Sequence, residues 1–165
     1  MIMARLNEIK KQDGKVFLIT GANSGLGYET SKSLLERGAT VIMCCRDLLK
    51  GKKAKQELLK LNFSGNIELV ELDLSDLNNV EKIAAFIKSK FNHLDVLINN
   101  AGIMAPPKTV SKQGLEIQFA VNHLAHMFLT LKLLPIIEAK NNSRVVTVTS
   151  GVQYFGKIQW DDLQG

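Results

Sequence analysis

The sequence predicts an open α/β fold, a parallel sheet covered by helices on both faces. Two observations carry that reading. Short β-branched runs alternate with longer helical patterns from Lys15 onward, which is the rhythm of successive βαβ units. The runs are also apolar at nearly every position, as strands are when helices cover both sheet faces, whereas half-exposed strands alternate. In order, the first strand is Val16 to Thr20, and a helix from Leu26 to Arg37 ends at Gly38, a residue free to take positive φ. The second strand is Val41 to Cys45. Asp47 then caps a helix from Leu48 to Leu61, rich in Lys, Glu, Leu and Ala. The third strand is Ile67 to Leu72, and a Ser75/Asp76 capping signal precedes Val80, Ile83, Ala84 and Ile87 at helical spacing. Val96 to Asn99 is the fourth strand and Val145 to Thr149 the fifth. Between them, Leu115 to about Ala139 is the longest helical stretch, disturbed late by Pro135. Gly151 to Gly165 has no period and reads as a loop interrupted in mid-course. No repeat or linker divides the chain, so residues 1–165 read as one domain.

Composition narrows the class. A chain of 165 residues, 45% hydrophobic and 22% charged, buries enough surface to fold without disulfide or metal staples. The net charge of +5 raises the question of a nucleic-acid partner, but the lysines are scattered beside acids, as in Glu57/Lys60 and Glu81/Lys82. They read as solvated helix faces, with no nucleic acid expected. The two cysteines, Cys44 and Cys45, are adjacent, which suits neither a disulfide nor a zinc site and fits buried thiols in a reducing, cytoplasmic setting. No metal is expected. No apolar stretch approaches the roughly 18 residues of a membrane span, and Met1 to Lys15 carries charges where a signal peptide has its apolar core.

Chemistry enters at the first strand-to-helix corner, in the run Thr20-Gly21-Ala22-Asn23-Ser24-Gly25-Leu26-Gly27. Glycines there let the backbone turn tightly and approach a pyrophosphate, which then rests on free N–H groups at the positive end of the helix. A glycine-rich turn without ligand is the plain alternative. The spacing, Gly-x3-Gly-x-Gly, differs from that of most dinucleotide folds. This run resembles the glycine motif of the short-chain dehydrogenase/reductase family, and Asn99-Asn100-Ala101-Gly102 is similar to that family's second signature. Cys45-Arg46-Asp47, Val121-Asn122-His123 and Asp162-Leu163-Gln164 resemble its retinol-dehydrogenase-like branch. The resemblance runs from about Lys15 to Gly165. It implies a Rossmann-type doubly wound sheet of strand order 3-2-1-4-5, here without the family's last strands, and a cofactor across the carboxyl ends of the strands. It implies an oxidoreductase that interconverts an alcohol and a carbonyl on a small-molecule substrate, which the branch resemblance makes bulky and hydrophobic. The family's four-helix dimer interface would draw on the long helix of such a homo-oligomer.

The choice of dinucleotide is read at the end of the second strand, where an NAD binder places an acid on the ribose about 20 residues past the glycines. Cys45 stands there. Arg46, next in line, offers a fork of donors to a 2′-phosphate, so NADP is expected before NAD. By the resemblance, the cofactor site comprises Gly21, Asn23, Ser24, Gly25, Leu26, Gly27, Arg46, Asp73, Leu74, Asn100, Ala101 and Gly102, with Asp73 and Leu74 flanking the adenine. Asp73 could equally serve a turn beside Ser75.

Ser150 ends the fifth strand and matches the family's catalytic serine, which would hydrogen-bond the substrate oxygen; a serine merely capping the strand is the alternative. Asn122 matches a member of the catalytic set that supports a proton relay, against an amide simply bonded to backbone inside its helix. His123 and His126 read as packing histidines. The family's proton donor is a tyrosine with a lysine four residues on, placed after the serine. Tyr154 has Ile158 at that spacing, and Tyr28 with Lys32 lies in the first helix, far ahead of Ser150. The expectation is therefore of a chain that stops at Gly165 before this pair, is inactive by itself, and has a non-catalytic binding or interaction module as its alternative.

Overall fold

The computed structural model describes residues 10–154, 156–157 and 160–162. Residues 1–9, Ile158, Leu163, Gln164 and Gly165, each named in a sequence expectation, lie outside the described residues. Five parallel strands form one sheet: β1 (Val16–Thr20), β2 (Thr40–Cys45), β3 (Asn66–Glu71), β4 (Val96–Asn99) and β5 (Arg144–Thr147). Their order is β3-β2-β1-β4-β5, as the resemblance implies. β1 pairs with β2 from Val16↔Thr40 to Thr20↔Cys44 and with β4 from Phe17↔Val96 to Ile19↔Ile98.

Four α-helices connect the strands: α1 (Gly25–Glu36), α2 (Leu48–Leu59), α3 (Leu77–Lys90) and α4 (Ala125–Glu138). The alternation of side chains along each strand divides the core in two. Phe17, Ile19, Val41 and Met43 pack with Leu35 of α1 and Ala54 and Leu58 of α2. Leu18, Ile42 and Leu97 face the other way, against Val80, Ala84 and Ile87 of α3 and Leu129 and Leu133 of α4. Every residue of β1 is buried, which is why Val16–Ile19 are apolar, whereas β3 is only partly buried and carries Glu68 and Glu71. The caps follow expectation as well. Asp47 accepts from the Leu49 and Lys50 amides, and Asp76 accepts from Asn78.

The long helix departs from expectation at its start. Leu115 and Glu116 precede the helix, at an antiparallel bridge between Val110 and Glu116 that follows a turn at Gly114, φ 76°. The helical path begins after the Glu116 carboxylate has accepted the Gln118 and Phe119 amides. Ile117 and Gln118 are its first helical residues, and Phe119–Leu124 after them is π-helical, a wide turn that tends to occur at functional positions. It runs on into α4, which continues through Pro135. Phe119–Glu138 is in fact 20 residues long with a mean hydropathy of 1.4. On length and composition it could therefore cross a membrane, which corrects the expectation that no stretch approaches that limit. Its apolar character is used in the core, where Leu129, Leu133, Ile136 and Ile137 are buried.

Tyr28, in the first helix, is half-buried against the core. A smaller correction concerns the chain end. Gly151–Tyr154, expected as loop, is a short 3₁₀ turn.

Candidate functional site

A cleft of about 520 Å³ opens at the carboxyl ends of the strands, where open α/β sheets bind ligands. Every expected cofactor residue lines it except Gly25 and Gly27. Those two shape it from behind. Gly25 has φ 53°. A Cβ on Gly27 would stand 2.5 Å from the Gly21 carbonyl oxygen and 2.6 Å from Asn100 Nδ2, so only hydrogen fits. Gly21 needs its freedom twice over: its φ is 65°, and a Cβ there would stand 3.0 Å from Ala101 Cα. The turn is thus built for close backbone approach, the feature that admits a pyrophosphate. Ser24, the residue before α1, makes no side-chain cap. A donor-rich helix start facing the cleft suits a bound anion.

Opposite the glycine turn lie Asn100, Ala101 and Gly102, and the link between the two walls is the Thr20 hydroxyl. It accepts the amides of Asn100 and Ala101, each at 2.9 Å, while Asn100 Nδ2 donates to the Thr20 carbonyl at 2.8 Å. Thr20 is fully buried. Across the cleft, β2 ends in Cys45 and Arg46 follows it. Burial pushes the Cys45 thiol above its ordinary range, reinforced by the charges of Asp47 and Glu71, so it stays protonated and brings no negative charge. The exposed Arg46 side chain lies at the same wall.

Asp73 and Leu74 also line the cleft. The Asp73 Oδ1 atom accepts both the amide and the hydroxyl of Ser75, and the Asp73 amide donates to Asn79. A turn role is therefore present in addition to the wall position. Next to this turn, Lys112 bonds Asp76 at 2.7 Å, holding that carboxyl below its usual range and tying the 111–114 turn to the rim.

The two residues expected to be catalytic are outside the lining. Asn122, on the π-helical segment, accepts from the Ile103 amide through Oδ1 and donates to the Ile103 carbonyl through Nδ2, both at 2.9 Å. Its amide is bonded to backbone, but on the loop after β4 and not within its own helix. Ile103 and Val121 do line the cleft, so Asn122 abuts it from behind. Ser150 is exposed, two residues past Val148, which lines the cleft. Its carbonyl accepts from Gln153 at the head of the 3₁₀ turn.

Two residues absent from the expected site belong to this architecture. Thr20 is one. His126 is the other, buried on α4 with Nε2 2.9 Å from Thr20 Oγ1 and Nδ1 3.1 Å from the Asn122 carbonyl oxygen. Its position four residues after Asn122, polar in an apolar helix, was the available signal. Among the described residues no group of acids, histidines and cysteines could hold a metal.

A sheet of order 3-2-1-4-5 with a glycine turn and an Asn-Asn-Ala-Gly wall at one cleft defines a class, and comparison agrees with it. The chain belongs to the short chain dehydrogenase family, whose family model matches residues 15–161. It is similar to retinol dehydrogenase 12 of Bos taurus, 41% identical over 152 residues, covering 92% of this chain and 48% of that protein. The chain thus spans about half the length of the curated relatives it matches. Among solved structures, an uncharacterised protein of Mycobacterium paratuberculosis is 41% identical, with a TM-score of 0.82 over 96% of this chain and 55% of that one. The Pseudomonas aeruginosa RhlG/NADP active-site complex is 25% identical, with a TM-score of 0.74 over 94% of this chain and 62% of the other.

Proposed function

We propose that this chain is the dinucleotide-binding portion of an NADP-dependent oxidoreductase that interconverts an alcohol and a carbonyl by hydride transfer, on a hydrophobic substrate. The observation that carries the reading is the convergence on one cleft of the Gly21–Gly27 turn, the Asn100–Gly102 wall and Arg46. The residues fit such a cofactor. Gly27 leaves no room for a side chain, Ser24 leaves the start of α1 uncapped, and the acid that would select the ribose of NAD is replaced by a neutral thiol beside a guanidinium. When bound, the dinucleotide supplies the hydride. This chain's residues bind it, and Ser150 orients the substrate oxygen, with Asn122 holding the loop at Ile103. The NADP complex of the Pseudomonas relative and the retinol dehydrogenase names of the curated relatives support cofactor and substrate class in turn. The buried free thiols of Cys44 and Cys45 are consistent with a cytoplasmic address.

A second reading, a binding module without turnover, is favoured by one observation: Ser150 and Asn122, the residues expected to be catalytic, both stand outside the cleft lining. Isothermal titration of NADPH into the chain tests both. Saturable one-to-one binding is expected, and absence of binding of either NADPH or NADH contradicts both.

A further inference from the structure

Among the buried polar side chains, His126 stands apart, because it connects the long helix to the glycine turn 106 positions earlier in the chain. From its contacts we infer that His126 is a positioning residue of the cleft: its bare Nε2 takes the Thr20 hydroxyl proton, leaving both Thr20 lone pairs to hold the Asn100 and Ala101 amides beside the glycine turn. The functional consequence rests on the dinucleotide reading above; the hydrogen-bond arrangement does not.

Donors and acceptors around Thr20 Oγ1 balance in only one arrangement. A threonine hydroxyl has one proton to give and two lone pairs. The Asn100 and Ala101 amides are donors only, and both point at Oγ1 from 2.9 Å. The third contact of Oγ1, to His126 Nε2 at 2.9 Å, must therefore use the hydroxyl proton. Nε2 is then an acceptor, and the neutral ring carries its hydrogen on Nδ1. That nitrogen lies 3.1 Å from the Asn122 carbonyl oxygen, an acceptor. Every contact pairs a donor with an acceptor. The opposite tautomer would fail twice, setting Nε2–H against an oxygen whose lone pairs are taken and a bare Nδ1 against a carbonyl. Burial also keeps the ring neutral: it lowers the His126 pKa, against the bond to Asn122, with His123 adding to the lowering.

The ring is held where this requires. Ala125 on one side is fully buried, and Thr130 donates its hydroxyl to the His126 carbonyl at 2.7 Å. Without the imidazole acceptor, the Thr20 hydroxyl must turn to find another, and the lone pairs facing the two amides turn with it. The wall that stands 3.0 Å from the Cβ position of Gly21 then loses its tie.

Three measurements on the 165-residue chain test this. A long-range ¹H–¹⁵N spectrum of the wild type is expected to show His126 neutral with Nε2 bare; the opposite tautomer overturns the inference without any variant. Amide hydrogen exchange is expected to show Asn100 and Ala101 protected. His126→Leu should speed both by about tenfold or more, and His126→Gln, whose amide oxygen can accept from Thr20, should restore protection. Unchanged exchange in His126→Leu, or no restoration by Gln in a folded variant, overturns it. Finally, NADPH affinity should fall about tenfold in His126→Leu and in Thr20→Val, and no further in the double variant. Additive losses overturn the coupling. If wild type binds neither dinucleotide, the functional reading fails, while the spectrum and the exchange data still decide the role of His126.

Discussion

Asn100 Nδ2 lies 2.6 Å from where a Cβ on Gly27 would be, and the same nitrogen donates to the Thr20 carbonyl at 2.8 Å. The absence of a side chain at one residue is thus matched to a hydrogen bond made by the other. Gly27→Ala should displace Asn100 and the Gly21 carbonyl together. We expect a loss of about 1–3 kcal/mol in stability from overpacking and at least tenfold weaker NADPH binding. Thermal melts and calorimetry read the two separately, and wild-type affinity in the Gly27→Ala variant would show that the close approach has no role in binding.

Two acid-sensitive groups act in different pH windows. His126 is kept neutral in the fold, whereas in the unfolded chain it takes a proton below about pH 6.5. Stability is therefore full above that value and falls as pH drops toward the lowered folded pKa. Asp95 follows at lower pH. Burial pushes its carboxyl up, but Lys140, the Val16 amide and His93 together outweigh this and hold it down. Its contribution is present above about pH 4, the unfolded value, and is lost as pH falls through the depressed one. Urea melts from pH 8 to 3 should show both declines. His126→Gln should remove the upper one, and Asp95→Asn should shrink the lower one, which Asp76 also feeds, at a cost of about 1–3 kcal/mol at pH 7, since Asp95 Oδ2 accepts from Val16 at 2.8 Å.

β5 is exposed at every residue, and Val145, Val146 and Val148 are 41%, 44% and 40% exposed. Among the described residues no strand pairs with its outer edge, and such an edge is a template for another chain. The 165-residue chain should self-associate at micromolar concentration, and Val146→Lys should reduce this. Sedimentation velocity checks both, and a compact monomer of the unsubstituted chain would contradict the expectation.

Turnover should require groups beyond Ser150 and Asn122. A serine hydroxyl can orient a carbonyl oxygen but is a poor proton donor near neutral pH, and general acid catalysis typically contributes about 10²–10⁴-fold. The 165-residue chain should not consume NADPH with retinal-like or small aldehydes, whereas a longer chain carrying Tyr-x-x-x-Lys after Ser150 should. Consumption by the 165-residue chain, abolished by Ser150→Ala, would reveal an unidentified donor, with Tyr154 the first suspect.

Much of this architecture was legible in the residues because the signals are local. The apolar runs Val16–Ile19 and Val41–Cys45 announce strands covered on both faces, and Asp47 and Asp76 are placed where helix caps belong. The start of the long helix was not legible. Leu115 continues an apolar pattern, but the turn at Gly114 and the bridge at Glu116 keep it out of the helix, and a π-helical segment has no distinctive composition. His126 read as a packing residue because its partner, Thr20, is remote in sequence and only the fold brings them to 2.9 Å. Ser150 and Asn122 were legible only through family resemblance, since neither spacing nor periodicity marks them.

The central claim is that this cleft binds a dinucleotide and that Arg46 selects the 2′-phosphate. The direct measurement is the affinity of NADPH and NADH for the wild-type chain and for Arg46→Ala, by calorimetry at one ionic strength. A charge-assisted hydrogen bond contributes about 1.5–3 kcal/mol, so wild type should prefer NADPH by tenfold or more. Arg46→Ala should lose that preference while still binding NADH as before. Equal affinities in the wild-type chain, or a preference that survives in Arg46→Ala, would contradict the account.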